Sequence, residues 1–443
     1  MPDWKRVKIT FPTLKLGQFI EPVKRTVAET NGSDYHTVYG VTNTEGITIT
    51  GKKASKDVSS YIVIDEGCFA YNPYRINVGS IGFNDKGIKG CVSPAYVVFK
   101  IHTSLSPMFL FLYLKSDFGN HLINWYGNRG GVRNALRYYD LCEIDIPKVD
   151  FKEQSILLDK IQRTKTIVTE FDSGVDAQLM MFQRLRQAVL QEAVEGKLTA
   201  EWRKQNSKLI SGENHTFKLL EKIRIEKDRL IKNSKMCKEK PLLTIAEDEK
   251  PFALPEGWTW VRFAEICEIA TNNVSPFDYP NYIHLAPDNI EKCTGRLLKC
   301  TTVKEDNVIS VNHLFHPGML VYSKVRPRLR KIVKVDFEGL CSADMYPLVP
   351  QCNPDYLKYI MLSNYFDTEV YRFDNRVKMP KINQDQLNSI LIPLAPLEEQ
   401  ASIVARVSDL MHMVDTLEKQ VAERKEQARM LMRSVLREAF ETS

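Results

Sequence analysis

Apolar residues recur every seven positions along two proline-free stretches of the chain. In residues 152–195 the row is Ile161, Val168, Val175, Phe182 and Val189, with Leu157, Phe171 and Leu185 forming an alternate row. In residues 397–440 the row is Val407, Val414, Val421, Ala428 and Val435, with Ile403, Leu410, Leu417 and Leu431 beside it. A sustained seven-residue apolar repeat is the seam of a coiled coil. The pattern predicts two helices of about 44 residues, each roughly 65 Å long at 1.5 Å per residue. Thr164, Gln178 and Arg424 interrupt the rows; polar residues there either fix register or lie on an exposed, loosening coil. Two such stripes in one chain satisfy each other as an antiparallel pair if the chain reverses between them. Homodimerisation through the stripes is the competing arrangement.

The rest of the chain has another texture. Short β-branched and aromatic runs, such as Tyr61–Ile64, Ala95–Phe99, Met319–Tyr322 and Lys331–Val335, are punctuated by Gly, Asn, Asp and Pro. This pattern predicts short strands with some helix, an α+β arrangement, with helices at 107–126 and 354–371. Residues 215–236 are mostly charged, with Leu219, Leu220, Ile223, Leu230 and Ile231 among them, and predict a further exposed helix leading into a linker. The expected organisation is therefore a globular part at 1–150, a helix and linker at 151–250, a second globular part at 251–395 and a second long helix at 396–443.

The two halves are related. IPKVDFKEQ opens at Ile146 and IPLAPLEEQ at Ile392, an offset of 246 that holds without a gap to Val194 and Phe440. About eleven of the 49 aligned positions are identical, including Glu153/Glu399, Gln154/Gln400 and Val189/Val435. Shared periodicity explains aligned apolar positions, but it does not explain the same polar motif at both heads. Upstream, Gly90–Ser93 resembles Gly339–Ser342 and Pro107–Ser116 resembles Pro354–Ser363. The chain reads as two copies of one unit, each a globular part followed by a helix.

Composition adds little until charge is placed along the chain. The 443 residues are 43% hydrophobic and 26% charged, and 61 Lys+Arg against 55 Asp+Glu give +6. The length suggests about three domains. No apolar stretch is long enough for a transmembrane helix, and the N-terminus lacks the apolar region of a secretory signal. Nine cysteines without a CxxC pair fit a reducing cytoplasm. Positive charge is concentrated in SKVRPRLRKIVKV, where Lys324, Arg326, Arg328, Arg330, Lys331 and Lys334 crowd together. In an extended strand the alternating residues would share one face and suit phosphates or guanine edges, although Pro327 limits such a ladder. Further candidates for DNA contact are Arg75 beside Tyr74, then Asn128, Arg129, Arg133 and Arg137, and Arg372, Arg376, Lys378 and Lys381 in the equivalent region. A solvated face or pairing with local acids is the alternative for each.

No catalytic constellation emerges. Gly46–Lys53 nearly matches a P-loop, but Lys53 stands where Ser or Thr should reach magnesium, so a hairpin is the better reading. Asn72-Pro73-Tyr74 lacks a proline of the amino-methyltransferase signature, and no glycine-rich S-adenosylmethionine loop precedes it. Gly79–Gly82 reads as a turn. His313 and His316 have no Cys or carboxylate at ligand spacing, and the cysteines show no zinc pattern.

AYNPYRINVGSIG at 70–82, the two IPxxxxxEQ heads, AVLQEAVEGKLTAEW at 188–202, Pro255–Trp260 and YSKVRPRL at 322–329 together cover nearly the whole chain. In this order they resemble the motifs of the specificity (HsdS) subunits of type I restriction-modification systems. It departs from the family pattern at Trp4–Ile20, where no PEGW sequence stands, and in having AFETS after the second helix. The resemblance implies two target-recognition domains, each reading half of a split double-stranded DNA site, and an antiparallel coiled coil that sets the gap between the halves. It implies no catalysis and no cofactor bound directly. Two modification subunits would carry adenine methyltransferase activity and S-adenosylmethionine, and restriction subunits would carry ATP and Mg. It also implies a prokaryotic, cytoplasmic, membrane-free setting. Other classes remain beside it: a methyltransferase with built-in recognition, the recognition subunit of a methyltransferase-only system, and a coiled-coil scaffold without DNA specificity.

Overall fold

A computed structural model describes residues 12–30, 33–50, 57–102, 104–128, 135–211, 215–232, 244–373 and 380–440. Contacts divide the chain into two compact units, Met1–Asp176 with Val421–Ser443, and Ala177–Gln420.

Among its described residues the first unit has ten strands: β1 (Thr13–Lys15), β2 (Ile20–Pro22), β3 (Val38–Thr42), β4 (Gly46–Ile49), β5 (Ile62–Ile64), β6 (Phe69–Tyr71), β7 (Ile81–Phe83), β8 (Gly90–Val92), β9 (Val97–Ile101) and β10 (Asp145–Pro147). They form a pair, β1-β10, and two four-stranded sheets, β2-β9-β6-β7 and β4-β3-β8-β5. Three helices follow the sheets: α1 (Pro107–Lys115), α2 (Asp117–Gly127) and α3 (Tyr138–Cys142). Phe69, Tyr71, Phe99, Phe109 and Tyr113 fill the core.

The second unit repeats this plan strand for strand. β11 (Thr259–Arg262) pairs with β20 (Leu391–Leu394). β12 (Cys267–Ile269), β19 (Met345–Pro350), β16 (Leu320–Ser323) and β17 (Ile332–Lys334) form one sheet in that order. β14 (Thr301–Thr302), β13 (Ile283–Leu285), β18 (Gly339–Ser342) and β15 (Asn312–Phe315) form the other. Even the single parallel pairing recurs, β3 with β8 and β13 with β18. Gly90 and Gly339 are needed at that junction. A Cβ on Gly90 would lie 2.6 Å from the Thr37 carbonyl, and one on Gly339 would lie 2.6 Å from that of Ile283.

Duplication extends to the helix caps. α4 (Phe151–Val194), α5 (Ala200–Gln205), α6 (Thr216–Lys232) and the short α7 (Phe263–Ile266) precede α8 (Pro354–Leu362), α9 (Asn364–Tyr371), α10 (Gln384–Ser389) and α11 (Leu397–Phe440). Each of α1 and α8 starts with proline, whose missing N–H costs nothing at a first helical position. Ser116 and Ser363 break the predicted single helices at matching places. Each serine hydroxyl accepts from an N–H three residues on and donates to the carbonyl three residues back.

The repeated Gln of the EQ motif does the same work twice. Gln154 is buried near the start of α4, accepts from the Ser106 N–H at 2.8 Å and donates to the Val149 carbonyl at 3.0 Å. Gln400 accepts from the Asn353 N–H at 2.9 Å and donates to the Ala395 carbonyl at 2.8 Å. Each thus pins the head of a long helix to the cap of a proline-headed one. The Glu differs: Glu153 closes an exposed capping box with Asp150, whereas Glu399 is fully buried. Glu399 accepts from Thr199 at 2.6 Å, Arg203 at 2.5 Å and the Trp258 indole at 2.8 Å. Gly196, left-handed at φ 69°, ends α4 beside this cluster, where a Cβ would lie 2.6 Å from Pro255.

The long helices pair antiparallel in each unit. In the first, Ile161 packs in one cluster with Val435, and Asp176 meets Lys425 at 2.9 Å. In the second, Arg186 binds Asp415 and, at 2.9 Å, Glu418, while Val189 and Ala193 share a core with Ile403 and Val407. Of the expected main stripe, Ile161, Val175, Val189, Val407, Val414, Val421 and Val435 are buried, and Val168 and Phe182 are half-buried. The alternate row holds only in part: Ile403 is buried and Leu157 and Leu410 pack partly buried against the cores. Phe171, Leu185, Leu417 and Leu431 are exposed, as are Gln178 and Arg424. Their place beside the seam is taken by Asp172, Leu179 and Arg186 on α4 and by Met411, Glu418, Lys425 and Met432 on α11. Opposite charges meet across the pair at Arg186 with Asp415 and Glu418 and at Lys425 with Asp176, whereas Asp172 Oδ1 is buried without a hydrogen-bond partner among the described residues.

The expected exposed helix at 215–236 is also corrected. α6 buries Leu220 and Ile223 in the second core, and the Thr216 hydroxyl donates to the Gly257 carbonyl at 2.5 Å. Its charged face conceals a short apolar stripe one helical turn long.

Candidate nucleic-acid interface

The basic run begins at the end of β16 and turns through Pro327–Leu329, a single 3-10 turn, into β17. The expected extended ladder does not form. Pro327 cannot continue a strand, and Arg326 (φ 47°) and Arg330 (φ 46°) are both left-handed, so the side chains diverge.

The structure then sorts the cations. Arg330 donates to the Leu362 carbonyl and Asn364 at 3.0 Å and to Gln187 at 2.8 Å, which ties the hairpin to the end of α8. Lys331 donates to the Pro287 carbonyl at 2.7 Å and lies 3.3 Å from Asp288. Lys334 and Lys358 bind Asp355; burial pushes that carboxyl up, but the two ammonium groups outweigh it and hold it below the usual range. Arg328 lies 3.5 Å from Asp367 and stacks over Tyr371, and Lys324 sits over the Tyr346 ring at 5.0 Å. Arg326 is exposed, and its guanidinium has no hydrogen-bonding or ionic partner among the described residues.

The first unit presents the matching corner. β6 leads into a 3-10 turn at Ile76–Val78 and returns as β7. Arg75 stands at its start, exposed, its guanidinium likewise without a partner among the described residues, next to the exposed Tyr74. Each corner is crossed by a later segment: the Leu136 N–H donates to the Pro73 carbonyl at 3.0 Å, and the Ile382 N–H to the Lys324 carbonyl at 3.0 Å. Asn128 is exposed at the end of α2, and Lys381 pairs with Asp344 at 2.9 Å. Arg129, Arg133, Arg376 and Lys378 lie outside the described residues.

Two buried groups beside the second corner escaped the sequence reading. The Tyr322 hydroxyl and Asp367 Oδ1 are buried without a hydrogen-bond partner among the described residues, and burial pushes the Tyr322 phenol up. Glu369, on α9, is buried, and that burial raises its pKa although Arg372 opposes the shift at 2.9 Å. A raised folded pKa means that the stability this carboxyl contributes is full below its unfolded pKa and lost as pH rises through the folded one. Glu369→Gln is therefore expected to match the parent near pH 4 and to exceed it at pH 7, within about 1 kcal/mol. Urea denaturation at the two pH values measures this difference.

Comparison with known proteins follows the same lines. Residues 255–426 match the family model described as the type I restriction modification DNA specificity domain. A 312-residue stretch is 36% identical to the EcoDI specificity subunit of a type I restriction enzyme from Escherichia coli, covering 70% of this chain and 65% of that one. The chain belongs to the type I restriction-modification specificity subunit family. This specificity-family chain spans just under two thirds of that relative's length. Its fold is that of the HsdS subunit from Thermoanaerobacter tengcongensis, with TM-score 0.55 and 19% identity over 98% of this chain and 97% of the other. A chain from a structure of type I R-M complex assembly and conformational transition gives TM-score 0.64 at 19% identity, over 98% and 99%. Among the described residues of this family member, no helix is long and apolar enough to cross a membrane.

Proposed function

We propose that the chain is the non-catalytic DNA-recognition subunit of a type I restriction-modification complex, with each globular domain reading one half of a bipartite duplex target. The observation that carries this reading is the exact strand-for-strand repetition of one domain, each copy offering an exposed arginine at the same hairpin corner. Two similar readers joined by long paired helices suit a target with two half-sites and a fixed gap.

Two modification subunits, carrying S-adenosylmethionine, would dock on the helices and flanking domains, and restriction subunits using ATP and Mg would join them in a prokaryotic cytoplasm. Support for docking comes from the apolar side chains left outside the seam. Ile167, Phe171 and Leu431 are exposed in the first unit, and Met181, Leu185 and Leu417 in the second. Exposed apolar neighbours one helical turn apart, as Ile167 with Phe171 and Met181 with Leu185, suit an interaction surface.

Methylome sequencing of cells with and without the gene tests the proposal. Loss of one split methylated motif on deletion is the expected result. Full retention of every motif would exclude the recognition role.

A further inference from the structure

The two hairpins share one register. Tyr71 pairs with Ile81 across the first, and Tyr322 with Ile332 across the second, with nine residues between the partners in each. The intervening sequences are NPYRINVGS and SKVRPRLRK. Only the fourth residue is the same, Arg75 in one and Arg326 in the other. The local hydrogen bonds coincide as well. Val78 N–H donates to the Arg75 carbonyl, as Leu329 N–H does to that of Arg326, and the left-handed position closing each turn is Gly79 in one and Arg330 in the other.

This frame separates two kinds of cation. Lys324, Arg328, Arg330, Lys331 and Lys334 stand opposite Pro73, Asn77, Gly79, Ser80 and Phe83. They belong to the second copy alone, and each is held there by a ring, an acid or a carbonyl. The arginine common to both copies is the one whose guanidinium is left exposed and free of partners among the described residues.

We infer that Arg75 and Arg326 are equivalent phosphate anchors that set each domain on the DNA backbone, and that they do not read bases. The inference rests on the DNA-recognition reading above. Residues that discriminate bases must differ between domains that read different half-sites, and eight of the nine hairpin positions do differ. A residue held constant in an otherwise diverged loop suits the feature common to both half-sites, the phosphate backbone. A guanidinium with no partner among the described residues is available for it, and phosphate contacts fix orientation without carrying sequence information.

The test uses the full chain reconstituted with its modification subunits, and duplexes carrying the target motif or a scrambled one. Binding is measured across a KCl series. Arg75→Ala and Arg326→Ala should each make the slope of log K against log [KCl] shallower by about 0.9, and together by about 1.8. The ratio of target to scrambled affinity should stay constant. Arg75→Lys and Arg326→Lys should keep the parental slope, and Lys334→Ala, which removes a charge already tied to Asp355, should leave it unchanged. Unaltered slopes in the alanine variants would overturn the inference. So would an alanine variant that loses discrimination at one base pair. Failure of the parental complex to prefer the target would instead overturn the recognition reading on which the inference rests.

Discussion

Glu399→Ala is expected to destabilise the second unit by about 3–5 kcal/mol, the cost of leaving buried donors without their charge partner. Glu399 is fully buried, and its two oxygens take the Arg203 guanidinium, the Thr199 hydroxyl and the Trp258 indole. Removing the carboxylate strands all three in a space that water does not reach freely. Against a total stability of about 5–15 kcal/mol for a domain, that is a large fraction. Glu399→Gln should be nearly as harmful, because an amide nitrogen would face donors. Urea denaturation followed by tryptophan emission reads both the lost stability and the changed surroundings of Trp258. A change below 1 kcal/mol would show that the cluster contributes little.

Arg186→Ala should cost about 2–3 kcal/mol, less than a fully isolated buried pair. The guanidinium is held by Asp415 and Glu418 and touches Met411 Sδ at 3.5 Å. Burial opposes its charge, but its hydrogen bonds to these acids outweigh that opposition and raise its pKa. Arg296 also reaches Asp415 and so keeps part of the negative charge compensated in the variant. Replacing Arg186 with Met and Glu418 with Leu together should restore much of the stability, since an apolar pair of similar volume pays no desolvation penalty. Denaturation midpoints of the single and double variants form the required cycle. Additive losses would mean that the two residues are not coupled.

The parts of this molecule legible in its sequence are those governed by local pattern. Forty-four residues without proline and with an apolar repeat specify a helix, and two of them with the same head specify a duplication. The alternate seam was not legible, because hydropathy favours Phe171 and Leu185 over Asp172 and Arg186. Only the opposite helix reveals that Arg186 has partners. Glu399 and Gln400 left a trace, their identity with Glu153 and Gln154. Their burial depended on contacts up to 200 residues away. The basic run was visible as composition but misread as geometry, since two left-handed arginines and Pro327 turn a supposed strand into a corner. The equivalence of Arg75 and Arg326 was hidden because the offset between the copies changes from 246 in the helices to 251 in the hairpins.

The division of the chain between its units carries a consequence for synthesis. Residues 177–420 make up the second unit without interruption, whereas the first takes Met432, Val435 and Leu436 of α11 into its core around Ile161. Domains emerging from the ribosome usually fold from the N-terminus onward. Here that order is reversed at the last step. The second unit has all its residues while the first still waits for Val435, so the first domain translated is the last to close.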